Sequence, residues 1–127
     1  MKIVTLIARI LLGLMFTVFG LNGFLQFLHL PMPTGLAGQY MGAIFGSHYA
    51  WMVFAFQLIG GLLLLVNRFV PLALTILAAV IVNILTFHVA MAPAGLPPAL
   101  AATLLWFVVF SNVRSSFAPI FAARGTT

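Results

Sequence analysis

Four apolar runs, each about as long as the hydrocarbon core of a bilayer is thick, decide most of what this chain can fold into. A helix crossing such a core needs about 20 mostly apolar residues. The chain supplies runs over about residues 4–27, 48–66, 71–91 and 98–113. Charge says the same. Five of the 127 residues are Lys or Arg, and there is no Asp or Glu. A soluble domain carries roughly 25% charged residues, so this composition cannot build a surface that faces water. The expected fold is all-α. It is a single integral-membrane domain over residues 1–127, an up-down four-helix bundle with a short interfacial helix after the first span. Helices satisfy their own backbone in lipid, and short connections make neighbours antiparallel.

The breaks between the runs carry stop signals. After the first run come His29, Pro31, Pro33 and Gly35, which end a helix. Leu36, Tyr40, Ile44 and Phe45 then fall on one face of a short amphipathic helix suited to the membrane interface. Asn67-Arg68 closes the second run. Pro71 opens the third, where its missing N–H costs little. Residues 92–98 form a Pro- and Gly-rich turn. The N-terminal run, from Ile3 to about Leu28 with Arg9 inside it, is too long for a signal-peptide core and has no small-residue cleavage site, so it reads as a retained helix.

The cations define an orientation. With four spans, Lys2, Arg68, Arg114 and Arg124 fall on one side of the membrane, and Arg9 snorkels towards it. That places both termini in the cytoplasm, in the inner membrane of a bacterium. The net charge of +5 does not point to nucleic acid, because phosphate affinity needs clustered cations and these are scattered. The absence of cysteine excludes a disulfide, a thiolate metal site and a thiol–disulfide relay.

Polar side chains inside a membrane are costly and need a reason. Asn22, Gln26, His29, His48, Gln57, Asn83 and His88 all fall towards the outer half under this orientation. On a continuous helix, Asn22, Gln26 and His29 lie within about 60° of one another. Gln57 lies roughly 13 Å deeper than His48. His88 is about 140° around its helix from Asn83, so the two need not face one neighbour. Each residue has a plain structural use. Amides hydrogen-bond between helices for about 0.6 kcal/mol each, interfacial histidines touch water, and a helix end favours His88. Their convergence on one side supports a ligand site. Asn83 and His88 are the candidate contacts, with Gln57 and Asn22 supporting. Amide and imidazole N–H groups can donate to a quinone carbonyl, and histidine moves protons near neutral pH. Haem or metal ligation by the three histidines is a weaker reading, since their spacing forms no compact motif. Carboxylate chemistry is excluded outright.

Several segments are familiar. The first span, Ala8-Arg9 through Leu11-Leu12-Gly13-Leu14 to Phe19-Gly20-Leu21-Asn22-Gly23-Phe24, resembles the opening helix of the DoxX/DoxD-like family. Gln57-Leu58-Ile59-Gly60-Gly61 followed by four leucines is similar to the family's second helix with its double glycine. Asn67-Arg68-Phe69-Val70-Pro71 and Val82-Asn83-Ile84-Leu85-Thr86-Phe87-His88 resemble the next loop and third helix. The resemblance covers roughly residues 5–115. It implies a four-helix membrane protein, with some relatives tied to thiosulfate:quinone oxidoreduction or to membrane oxidoreductase complexes. Many members carry Glu where this chain has Gln57, a departure that removes the titratable carboxylate. The expected role is therefore a quinone-interacting or accessory subunit of a membrane redox system, in contact with the lipid bilayer and with an oxidoreductase partner or further copies of itself. A non-enzymatic structural or assembly protein is the alternative, and a small-solute carrier a third.

Overall fold

The computed structural model describes residues 2–125, so the ends of the expected 1–127 domain, Met1 and Thr126–Thr127, lie outside the described residues. Five α-helices follow one another: α1 (Lys2–Leu25), α2 (Gly35–Gly46), α3 (Ala50–Leu65), α4 (Val70–Met91) and α5 (Leu96–Val113). A 3-10 turn at Pro93–Gly95 precedes α5, and a 3-10 segment at Arg114–Phe121 follows it. The expected class holds: an all-α bundle with a short helix between two spans. Three segments are long and apolar enough to cross a membrane, namely α1, α4 and α5 with its flanking 3-10 turns. The protein is a multi-pass membrane protein.

The second apolar run departs from expectation. Its helix has 16 residues and meets α2 at a bend of 84°. His48, expected to open this span, instead sits in the bend with φ 64°. At 1.5 Å per residue α3 is roughly 24 Å long. The first span also stops short of residue 27. Gln26 takes a left-handed φ of 52°, and the Asn22 side-chain oxygen accepts the Leu28 N–H at 2.6 Å. The chain therefore turns away after Leu25, and the expected Asn22–Gln26–His29 stripe does not form.

Glycines bring α1 and α3 together as an antiparallel pair. A Cβ at Gly13 would lie 3.0 Å from the Gly61 carbonyl oxygen, and one at Gly20 would lie 2.7 Å from the Leu58 nitrogen. The Phe54 ring occupies the space above Gly23. Small residues at such crossings let backbones approach closely, which is the main attraction available to helices already solvated by lipid. The rest of the core is a cluster around Leu12, Leu64, Leu74, Leu77 and Val109, all fully buried. Trp106 ties α5 to α4 by donating its indole N–H to the Leu74 carbonyl at 2.9 Å, and it stacks on Phe110 with the planes 10° apart. This Trp is a packing residue. Large apolar side chains such as Leu25, Val82 and Leu104 point outward, the arrangement expected where the surrounding solvent is hydrocarbon.

Candidate functional site

Polar residues collect at the two ends of the bundle. At one end α2 lies across α3 and α4 and covers a cavity of about 160 Å³. The cover supplies Tyr40, Met41, Ile44 and Phe45 from one face of α2. That is the face expected from the sequence, except for Leu36, which stays 69% exposed. The walls come from Val53, Phe54 and Gln57 on α3 and from Asn83, Phe87 and His88 on α4. Aromatic contacts hold the cover in place: Tyr40 meets Phe87 at 5.4 Å between ring centroids, and Phe45 meets Phe54 at 5.6 Å.

Gln57, Asn83 and His88 thus line one cavity, although Asn83 and His88 stand far apart around the axis of α4. The covering helix makes this arrangement, because the cavity wraps around the α4 surface beneath it. Gln57 is the only buried polar side chain among the described residues, at 7% exposure. Its amide opens into the cavity and has no hydrogen-bond partner among those residues. Its amide atoms face the cavity space rather than being sealed in the core, so they can take a hydrogen-bond partner placed there. Asn83 is exposed at the rim, beside the outward-facing Val82 at 62% exposure. Asn22 is elsewhere, holding the end of α1 through Leu28.

His88 is fixed on both sides. Its Nδ1 lies 3.0 Å from the Ala92 carbonyl. A carbonyl only accepts, so this bond puts the proton on Nδ1 and leaves Nε2 of a neutral ring as an acceptor. The ring also packs on Gly95, where any Cβ would run into it. His48 belongs to the α2–α3 bend and packs on Trp51 at 4.5 Å, and His29 lies in the exposed α1–α2 connection. The three histidines are not gathered: among the described residues there is no group of three His, Cys, Asp or Glu placed to hold a metal ion.

The opposite end holds a cleft of about 200 Å³ whose polar lining is Lys2, Thr5, Arg9, Asn67 and Asn112. Of these, Lys2 and Arg9 stand out in the sequence, as cations that orient the chain. Thr5, Asn67 and Asn112 come together only because α1 starts where α3 and α5 end. Two amides, each within two residues of an arginine at a helix end, are the signal that was available. Compared with protein-family models, with curated proteins and with solved structures, the chain matches none.

Proposed function

We propose that the cavity beneath α2 holds the head ring of a quinone, and that the protein serves as a quinone-interacting accessory subunit of a membrane redox system. The observation that carries this reading is Gln57, a residue 7% exposed whose amide lines an aromatic-walled cavity of about 160 Å³. A cavity near 150 Å³ accommodates a benzene-sized molecule, which matches a single quinone ring. The Gln57 NH₂ donates to one carbonyl. Asn83 at the rim donates to a second polar edge, and its exposure beside Val82 gives a lipid-borne ligand a lateral way in from the bilayer. His88 Nε2 accepts from the O–H of the reduced form. The chain has no redox-active side-chain pair, so electrons would come from an oxidoreductase partner. The resemblance of the helix motifs to DoxX/DoxD-like proteins agrees with that role.

Fully buried Leu64, Leu74 and Leu77 separate the cavity from the cleft at the other end. A carrier with a polar pathway through both leaflets is correspondingly disfavoured. By the positive-inside rule the cleft end, with Lys2 and Arg9, faces the cytoplasm, and a bacterial inner membrane is the proposed location.

The test is an organic extract of protein purified in mild detergent, followed by titration with a short-chain quinone. A stoichiometric quinone in the extract is expected, with binding weakened about tenfold in Gln57→Leu, the effect of one hydrogen bond of about 1.4 kcal/mol. An extract holding only phospholipid, together with no binding of added quinone, overturns the proposal and leaves a structural or assembly role.

A further inference from the structure

We infer that the cleft at the basic end is a binding site for a phosphate group, such as an acidic phospholipid presents at the membrane surface. The chain has no Asp or Glu, so none of its side chains can neutralise a cation. Arg9 shows the consequence. It sits about 10 Å along α1 from Lys2 at 1.5 Å per residue and is only partly exposed. Its Nη1 donates to the Leu64 carbonyl, with a longer contact to Leu65 at 3.5 Å. Those bonds fix the guanidinium against the end of α3 and leave its Nη2 and Nε donors without a partner among the described residues. The Leu62, Leu63 and Leu64 carbonyls at the end of α3 also accept the N–H groups of Val66, Arg68 and Asn67.

What surrounds the guanidinium is a set of donors. Lys2, Thr5, Asn67 and Asn112 line the same cleft, and none of their side chains is engaged in a hydrogen bond among the described residues. The cleft combines two full positive charges with one hydroxyl and two amides, and it contains no anion. A planar guanidinium held rigidly, with a fork of free N–H groups, suits a phosphate better than it suits a halide or a neutral headgroup, because two parallel N–H···O bonds form at once. The remaining lining is Leu6, Val70, Val109 and Val113, an apolar wall that runs from the core at Val109 to the outward-facing Leu6. That continuity favours a phosphodiester with acyl chains over free phosphate.

Native mass spectrometry of the purified full chain, supplied with phosphatidylglycerol, inorganic phosphate or neutral diacylglycerol, separates the sources. Retention of phosphatidylglycerol without competition by inorganic phosphate assigns the site to lipid. Retention or competition by inorganic phosphate alone assigns it to a soluble phosphate. Either result requires that binding fall about tenfold in Arg9→Gln, the scale of a lost charge-assisted bond. Since Arg9 also braces α3, the double variant Lys2→Gln/Asn112→Leu, which alters only exposed positions on the rim, must show a loss in its own right. Arg68→Gln/Arg114→Gln is the control, removing two nearby cations that do not line the cleft. Equal loss in the control and the cleft variants, or no retention of either phosphate species, overturns the inference.

Discussion

Gly60 and Gly61 are adjacent in α3 and look interchangeable in the sequence, yet they face different obstacles. A Cβ at Gly61 would lie 2.6 Å from the Thr17 backbone nitrogen and 2.8 Å from the Gly13 carbonyl oxygen. Neither atom can move without shifting α1. A Cβ at Gly60 would lie 2.6 Å from the Leu77 side chain, which can change rotamer. Replacing glycine by alanine within a helix gains about 1 kcal/mol in propensity, while overpacking a core costs about 1–3 kcal/mol. The two effects nearly cancel at Gly60 and do not at Gly61. In thermal unfolding in detergent, Gly60→Ala is expected to lie close to the parent and Gly61→Ala clearly below it; equal midpoints would refute the close α1–α3 contact. Thr17, opposite Gly61, adds a second case. Its hydroxyl is buried without a partner among the described residues, whereas Thr75, Thr86 and Thr103 each bond a carbonyl four residues earlier. Thr17→Val removes an orphaned polar atom at nearly constant volume, and should raise stability by about 1 kcal/mol. A lower unfolding midpoint would mean that the hydroxyl has a partner in the membrane.

Among the helices, α2 is the one held least firmly. It touches α3 and α4 through a few aromatic contacts and is bounded by left-handed backbone at Gly35, φ 65°, and at His48, φ 64°. Glycine adopts that conformation without penalty, whereas a residue with a Cβ, such as His48, gives up about 1–2 kcal/mol. Two such points flanking a 12-residue helix make a cover that opens before the spans do. Amide exchange in a lipid nanodisc is therefore expected to be much faster across residues 35–46 than across the glycine-packed halves of α1 and α3. Comparable protection would show α2 to be part of the rigid bundle. The existence of this helix, and the face carrying Tyr40, Ile44 and Phe45, were legible in the sequence because proline, glycine and a 3.6-residue period all mark it. Its position was not legible. An apolar face suits the membrane interface and a protein cavity equally well, and only the bend at His48 folds it onto α3 and α4. The same limit applies to the site. Gln57, Asn83 and His88 stand out as polar residues in apolar runs, but their meeting depends on that cover. Asn22 stands out for the same reason and is spent on ending α1, a local hydrogen bond that hydropathy cannot reveal.

At the scale of the whole molecule, the two ends differ in chemistry. The α2 end has neutral amides and an imidazole, and the other end has Lys2 and Arg9 with donors around them. The packing of α1 on α3 pairs Gly13 with Gly61, Gly20 with Leu58 and Gly23 with Phe54, so α3 runs back along α1 although it has only 16 residues. If α3 crosses the membrane with α1, the connection after α1 and the turn after α4 emerge on the same side. If α3 does not cross, they emerge on opposite sides. The chain has no cysteine, so single cysteines report position without background. Pro31→Cys and Pro93→Cys lie at exposed positions of those two connections, and Ser115→Cys lies at an exposed position beyond α5. In intact bacterial cells, a membrane-impermeant maleimide should label the first two and reach Ser115→Cys only after permeabilisation. Labelling of Pro31→Cys but not Pro93→Cys would remove α3 from the spans. Labelling of Ser115→Cys alone would keep four spans and invert them, turning the cavity beneath α2 towards the cytoplasm and the basic cleft away from it. The positive-inside rule weighs against that inversion, since Lys2 at the start of α1 and Arg9 within it both line the cleft, and Arg68 and Arg114 follow the ends of α3 and α5 beside it.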